Sequence, residues 1–322
     1  MGTTEEGRAG IVAIVGRPNV GKSTLLNRVL GEKLAIVSRK PQTTRNRILG
    51  IHNAEQGQLA LLDTPGIHRS RANLNQFMVQ EALESIHGVD CILLLTELQR
   101  ARGRGAPTEA EEHAPAGALS HALDPKDRYV LDQIELQSAR CPVVVAINKI
   151  DLLADRSLLL PEIASWSERG FASIVPISAR TGDGVDRLLA EVFTHLPVGP
   201  PLYPEEMLTD RAERFLAAEL IREQIFQRCH KELPYSVAVA IEDFIERPHS
   251  SDVVIEAVIH VERESQKAIV IGKQGSMIKA VGCAARAALG GLLGCEVHLK
   301  LTVRVEPDWS KRPAGRRKLG YE

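Results

Sequence analysis

The first 197 residues alternate two kinds of apolar spacing. Short runs rich in Val, Ile and Leu ("GIVAIVG", "RILGIHN", "QLALLD", "CILLLT", "CPVVVAIN" and "ASIVPIS") predict strands, and several are apolar throughout, as strands buried on both faces are. Between them "KSTLLNRVLG", "NQFMVQEALESIHG", a helix following Asp127, "LLLPEIASWSERG" and "GVDRLLAEVFTHL" keep helical spacing. Strand and helix in turn predict an α/β domain over residues 9–197, a mostly parallel sheet with helices on both faces. Residues 98–124 break the rhythm: rich in Ala, Gly, Pro, Glu and Arg, they offer little to bury and predict a mobile insertion. His113 and His121 within it have no supporting Cys or His cluster, so a loop is favoured there over a metal site.

Beyond this domain, "LPVGPPLYPEEMLTD" carries four prolines and no periodicity, so residues 198–210 read as a Pro-rich linker. "RAERFLAAELIREQIFQRCH" has the i, i+3, i+4 apolar spacing of an amphipathic helix, and "SVAVAIEDFI" and "DVVIEAVIHV" predict two strands joined by a polar turn. "IVIGKQGSMIKAVG" follows as helix, glycine turn and helix, and the strict alternation of "EVHLKLTVRV" marks a strand in a sheet with one covered face. Residues 211–310 therefore form an α+β domain ordered α, β, β, α, α, β, with a basic tail over 311–322.

Length supports the division, since 322 residues exceed the roughly 250–300 at which a single core stops growing. With 44% hydrophobic and 25% charged residues the composition is that of a globular protein, and no continuous apolar run approaches the ~18 residues of a membrane helix. The N-terminus has no apolar signal core, and Glu6 stands where a myristoylation motif takes Ser or Thr, so a cytoplasmic protein is expected. Five cysteines without a CxxC pair predict reduced, mostly buried thiols and argue against a disulfide frame or zinc site. The net charge of −1 is unevenly distributed, because residues 272–322 hold ten Lys and Arg against four Asp and Glu. Such a basic end suits a polyanion, or is simply a solvated tail.

"GRPNVGKS" matches GxxxxGK[ST] between a strand and a helix, the context that motif requires. Gly16, Arg17, Pro18, Asn19, Val20 and Gly21 form a loop whose backbone N–H groups, Pro18 excepted, cradle phosphates, Lys22 neutralises the β and γ charges, and Ser23, followed by Thr24, places a hydroxyl on Mg²⁺. "DTPG", Asp63, Thr64, Pro65 and Gly66, puts a carboxylate near the Mg²⁺ shell and a backbone N–H near the γ-phosphate. "NKID" supplies Asn148, Lys149 and Asp151. The Asp151 carboxylate accepts together from guanine N1–H and N2–H₂, whereas adenine N1 would repel it, so GTP is selected over ATP. "ISA", with Ser178 and Ala179, offers a backbone N–H to guanine O6. Between these motifs a switch segment should carry a Thr that closes on Mg²⁺, either Thr44, which is favoured, or Thr43.

"GRPNVGKS", "PQTTR", "DTPG", "NKID" and "SA" resemble the translation-factor-related class of GTPases. "PQTTRNRILGI", "PPLYPEEMLTDRAERFLAAELIREQIF" and "ELPYSV" resemble the bacterial Era GTPases closely, over nearly the whole chain except 98–124. Ile67 occupies the position of the water-orienting Gln of the Ras scheme and cannot polarise water. The resemblance implies a K⁺ held with the help of Asn19, although Asn19 otherwise serves to shape the turn. It implies hydrolysis of GTP to GDP with Lys22, Thr44, Gly66 and Asn19 as the catalytic set, a switch over residues 36–47 and 66–72, action as a monomer on the 16S rRNA 3′ end in 30S subunit assembly, and a peripheral contact with the inner membrane surface.

"GKQG" lacks what a second phosphate cradle needs: only two residues separate its glycines, and no Lys-Ser or Lys-Thr follows. Between two helices it is instead the GxxG turn of a KH module, resembling the type II bacterial form. There Gly272, Lys273, Gln274, Gly275 and Ser276 admit a sugar-phosphate backbone, Ile271 and Ile278 line an apolar groove for unpaired bases, and Lys279 and Arg286 add charge, which predicts single-stranded RNA binding. Two other functions compete: a passive RNA-binding assembly protein whose nucleotide only stabilises the fold, and a membrane-associated regulator.

Overall fold

The computed structural model describes residues 7–38, 40, 42–69, 73–98, 124–137, 141–229, 233–247 and 252–321. The segment 98–124, with His113 and His121, lies outside them except for Leu98 and Asp124, as do Glu6 and residues 70–72 of the second switch. In the first domain β1 (Arg8–Val15), β2 (Ile48–Ala54), β3 (Gly57–Asp63), β4 (Cys91–Glu97), β5 (Val143–Asn148) and β6 (Ser173–Pro176) form one sheet in the order β2-β3-β1-β4-β5-β6. All neighbours are parallel except β2 and β3. Only Glu55 and Gln56 separate those two strands, far too short a connection for a parallel crossover, so they close as a hairpin.

Successive β1 residues face opposite cores, as the pleat requires. Val12 and Ile14 pack with α1 (Lys22–Leu30) and α5 (Val185–Thr194), through Leu25, Leu26, Leu188 and Val192. Ala13 and Val15 pack with α2 (Asn73–Glu84), α3 (Pro125–Gln137) and α4 (Leu159–Ser167), through Ala82, Val130, Ile134 and Trp166. The C-terminal ends of β1, β3 and β5 thus converge on one edge of the sheet, where α/β folds bind ligands.

The Pro-rich segment 198–210 is a strap along the sheet edge. Gln58 Oε1 accepts from Leu202 N and Tyr203 N, both at 2.8 Å, and Ile51 N donates to Leu208 O at 2.9 Å. Tyr203 and Met207 pack on Leu49, Ile51 and Ala60. The strap covers apolar edge-strand surface that would otherwise be open to pairing.

The second domain runs α6 (Glu213–Arg228), β7 (Ala238–Glu246), β8 (Val253–Val261), α7 (Glu264–Ile271), α8 (Ser276–Leu293), β9 (Val297–Val305) and a short α9 (Pro313–Lys318). β8 is central, antiparallel to β7 and parallel to β9. Val281, Ala285 and Leu289 of α8 pack with Ala217, Ile221 and Ile225 of α6 over the covered face of the sheet. On β9 buried or half-buried residues alternate with exposed ones, and Lys300 pairs with Glu256 directly across on β8 at 2.9 Å. By length and composition the run Glu264–Leu293 is apolar enough to cross a membrane, at a mean hydropathy of 1.3, but the Gly272–Gly275 turn divides it into α7 and α8. Only Cys91 and Cys229 of the five cysteines are buried, fewer than the sequence suggests, and Cys283 is exposed.

At the junction of the domains the polar face of α6 is not solvated: Glu219, Arg222, Glu223 and Gln224 are buried as well as Leu220, Ile221 and Phe226, because that face lies against the first domain. Nor is the C-terminus a solvated tail. Trp309, Leu319 and Tyr321 are buried with Leu74 and Met78 of α2 and Ala238 of β7, which joins the domains through a small apolar core.

Candidate guanine-nucleotide site and RNA interface

Between β1 and α1 the chain turns through Gly16 (φ 151°), Asn19 (φ 67°) and Gly21 (φ 106°). α1 has no side-chain cap and no acidic residue in its first turn, so its N-terminal N–H groups are available to an anion. Lys22 Nζ donates to Gly16 O and Arg17 O, both at 3.0 Å, which lays the ammonium across the loop. Burial pulls Lys22 down to about 8, against the opposing pull of Asp63. Gly66 is required by close approach, since a Cβ there would lie 2.7 Å from Pro18 N.

Three oxygens from three elements meet beneath the loop. Ser23 Oγ donates to Asp63 Oδ2 at 2.6 Å and lies 2.8 Å from Thr44 Oγ1, which is itself 3.3 Å from Asp63 Oδ2. Burial raises the Asp63 pKa to about 6, and its Oδ1 is buried without a hydrogen-bond partner among the described residues. A partnerless buried carboxylate oxygen beside two hydroxyls fits a hard divalent cation such as Mg²⁺. Thr43 makes no such contact; its backbone carbonyl accepts from Arg222 Nη2.

A cavity of about 910 Å³ opens above, large enough for a nucleotide. The loop residues Pro18, Asn19, Gly21, Lys22, Ser23 and Thr24 line it with Thr43, Thr44, Thr64 and Gly66, and the far end is formed by Asn148, Lys149, Asp151 and Ala179. Asn148 ties the two ends together, donating to Val20 O at 2.7 Å and accepting from Ala179 N at 2.9 Å. The Ala179 N–H expected for guanine O6 is therefore bonded to Asn148 in this structure. Asp151 Oδ1 accepts from Ser178 Oγ at 2.6 Å and Oδ2 pairs with Arg180 at 2.6 Å, so the carboxylate is held in a fixed direction. Lys149, in a left-handed conformation, donates to Asn19 O at 2.6 Å.

Several sequence-assigned residues do not line this cavity. Arg17 points away, to Asp124 at 2.5 Å and Asp127 at 3.2 Å, so it braces the loop instead of touching phosphate. Val20 and Ile67 are core residues, and Ile67 N is bonded to Gly16 O at 3.1 Å. Asp63, Ser178 and Pro65 stand behind the wall.

At the second glycine turn Gly272 (φ 75°), Gln274 (φ 51°) and Gly275 (φ 77°) all have positive φ, the last two in the left-handed helical region. A Cβ on Gly272 would meet Met277 N at 2.7 Å, whereas Gly275 faces open space and is required for its φ alone. Lys273, Gln274, Ser276, Lys279 and Arg286 are exposed, and Ile271 and Ile278 half-buried beside them. Lys273, Lys279 and Arg286 make no ion pair with the described residues. Lys300, Arg304, Lys311 and Lys318, in contrast, pair with Glu256, Glu242, Asp308 and Glu306, so part of the C-terminal charge surplus is neutralised within the domain.

The family model of 50S ribosome-binding GTPases matches residues 11–149, and that of the KH domain matches residues 232–310. The chain is 48% identical to the GTPase Era of Geotalea uraniireducens, over 99% of this chain and 100% of that one, and 47% identical to that of Geobacter metallireducens over 98% of each. The chain belongs to the Era GTPase family. Two solved Era structures superpose on it with TM-scores of 0.86 at 38% identity, covering 98% of this chain and 99% of theirs. One is an Aquifex aeolicus Era variant bound to GDP and AlF₄⁻; the other is Era with MgGDPNP and nucleotides 1506–1542 of 16S ribosomal RNA. As an Era GTPase the chain hydrolyses GTP and carries a G domain followed by a KH domain.

The contacts that join these two Era domains were not assigned from the sequence. Arg45, next to Thr44, is 2% exposed and inserted into the KH domain. It donates to Val237 O at 2.7 Å, Tyr235 O at 3.0 Å, Pro234 O at 3.1 Å and Tyr321 Oη at 3.2 Å, among the rings of Phe226, Trp309 and Tyr321. From α6, Arg222 holds Thr43 O while chelated by Glu219 at 2.6 and 2.7 Å, and Glu223 takes Lys33 at 2.5 Å and Val37 N at 3.1 Å. Gln227 of α6 even lines the nucleotide cavity. The one signal present was "PQTTR" itself, a cation directly after the metal-site threonine.

Proposed function

We propose that this chain grips the single-stranded 3′ end of 16S rRNA through its KH turn, as a monomer acting in the cytoplasm on the assembling 30S subunit, and that bound GTP or GDP sets the strength of the grip. One observation carries the reading: within three consecutive residues, Thr44 meets Ser23 and Asp63 while Thr43 and Arg45 are held by the KH domain. A segment held from both sides responds to both ligands, so the coupling is reciprocal. The Era complex with 16S nucleotides 1506–1542 supports the choice of RNA, and Lys273, Lys279 and Arg286, which make no ion pair among the described residues, support the choice of surface. Ser23, Asp63 and Thr44 would hold Mg²⁺, which supplies charge neutralisation at the β- and γ-phosphates. The Thr43 side of the segment serves the KH contact.

A variant carrying both Lys273→Glu and Gly275→Asp is expected to bind an oligoribonucleotide of the 16S 3′ end at least roughly tenfold more weakly in a filter or fluorescence assay, since it adds two like charges where backbone phosphates approach. Unchanged capture by a variant that melts normally would refute the assignment of the surface. Asn19, at the cavity rim, presents a neutral amide of the kind a weakly hydrated K⁺ takes, and positive charge there would assist hydrolysis in place of an arginine finger. Phosphate release is therefore expected to be roughly tenfold or more faster in K⁺ than in Na⁺ buffer. Equal rates in the two salts would remove K⁺ from the mechanism, and no turnover in either would favour the passive protein.

A further inference from the structure

Ile67 follows Gly66 but is 1% exposed and packed with Ala13, Val15 and Ile92, so the residue after DTPG does not reach the cavity. Another side chain occupies the wall beside Gly66. Gln42 lines the cavity two positions before Thr44 and touches His68, whose ring in turn touches Gly66 O, which places it at the metal and γ-phosphate end. Its backbone is left-handed (φ 64°), a conformation rare for a residue with a Cβ, and the two residues after it are pinned by Arg222 and by Ser23 with Asp63.

We propose that Gln42 orients the water that attacks GTP, and that His68 is the positioning residue that fixes the Gln42 amide. His68 Nδ1 lies 2.9 Å from Gly66 O. A carbonyl oxygen only accepts, so Nδ1 carries the hydrogen, and the neutral ring presents a lone pair at Nε2. Gln42 Nε2 lies 3.1 Å from His68 Nε2 and donates to it. The amide can then have only one orientation, with Oε1 on the side away from His68, and Oε1 has no partner among the described residues. A water bound there donates one O–H to Oε1 and keeps a lone pair for phosphorus. Its oxygen forms the new bond to Pγ, the bond from Pγ to the bridging β-oxygen breaks with its electron pair leaving on GDP, and the water protons end on phosphate oxygens and solvent. Gln42 aims the water and takes no proton, which is all a neutral amide can do.

Kinetics of the full chain with GTP, Mg²⁺ and K⁺ test this. Gln42→Ala is expected to lower kcat roughly 30-fold or more while KM for GTP and Kd for GDP stay within roughly twofold, because a water-aiming group acts on the transition state and GDP has no γ-phosphate for it to serve. His68→Ala is expected to lower kcat less, and the double variant to be no slower than Gln42→Ala alone, since His68 acts only through Gln42. Retained GDP affinity shows that the variants are folded. The proposal is overturned if Gln42→Ala keeps kcat within roughly threefold, if the losses of the two single variants multiply in the double, or if GDP affinity falls with kcat, which would make Gln42 a support of the switch segment and nothing more.

Discussion

Replacing Arg45 by alanine is expected to uncouple the two domains, so that the single unfolding transition expected of the intact chain separates into two. The guanidinium is buried, makes four hydrogen bonds and lies 5.4–5.9 Å from three ring centroids. Burial, reinforced by the like charge of Arg222, pulls its pKa below the usual guanidinium value, yet Tyr321 and Glu219 oppose that pull and the donors remain matched to carbonyls. Truncation leaves the carbonyls of Pro234, Tyr235 and Val237 without their donor inside an aromatic cage, a loss of about 3–5 kcal/mol in domain docking. Arg45→Lys is not expected to rescue it, because a single ammonium cannot serve acceptors spread over a planar fork. Differential scanning calorimetry distinguishes the outcomes: an unaltered single transition in Arg45→Ala would show that the domains are held by other contacts.

Asp151→Asn is expected to reverse the choice of base. The carboxylate, oriented by Ser178 and Arg180, accepts from guanine N1–H and N2–H₂ at once. Hydrogen bonds to a charged group are worth about 1.5–3 kcal/mol each, so losing the matched pair weakens GTP roughly 10²- to 10⁴-fold. Asparagine presents one acceptor and one donor, which match the N1–H and C2 carbonyl of xanthine. The variant should therefore bind xanthosine nucleotides more tightly than guanosine nucleotides in a displacement assay. Retention of the guanine preference would move base recognition away from Asp151.

Legibility in the sequence followed contiguity. The phosphate loop, DTPG and NKID are strings whose spacing expresses their chemistry, and the structure gathers Lys22, Ser23, Thr44, Gly66 and Asn148 around one cavity. The hairpin partnership of β2 and β3 follows from a two-residue connection. What escaped was what depends on a second domain. The polar face of α6 has the same pattern whether it meets water or Thr43, Lys33 and Val37, so spacing alone does not mark Glu219, Arg222 and Glu223 as contact residues. The tail was obscured by its charge, although Trp309 and Tyr321, stacked at 5.4 Å, are what anchor it. Arg17 belongs to the loop by sequence but its long side chain reaches Asp124 and Asp127, acids too distant along the chain for motif spacing to pair.

The most direct test is the affinity of the intact chain for an oligoribonucleotide of the 16S 3′ end, measured with a non-hydrolysable GTP analogue bound and again with GDP bound. The segment 43–45, held at once by Ser23, Asp63 and the KH domain, predicts affinities that differ at least roughly tenfold, as coupling of about 1.4 kcal/mol or more requires, and that converge in Arg45→Ala. Equal affinities in the two nucleotide states of the unaltered chain would contradict it.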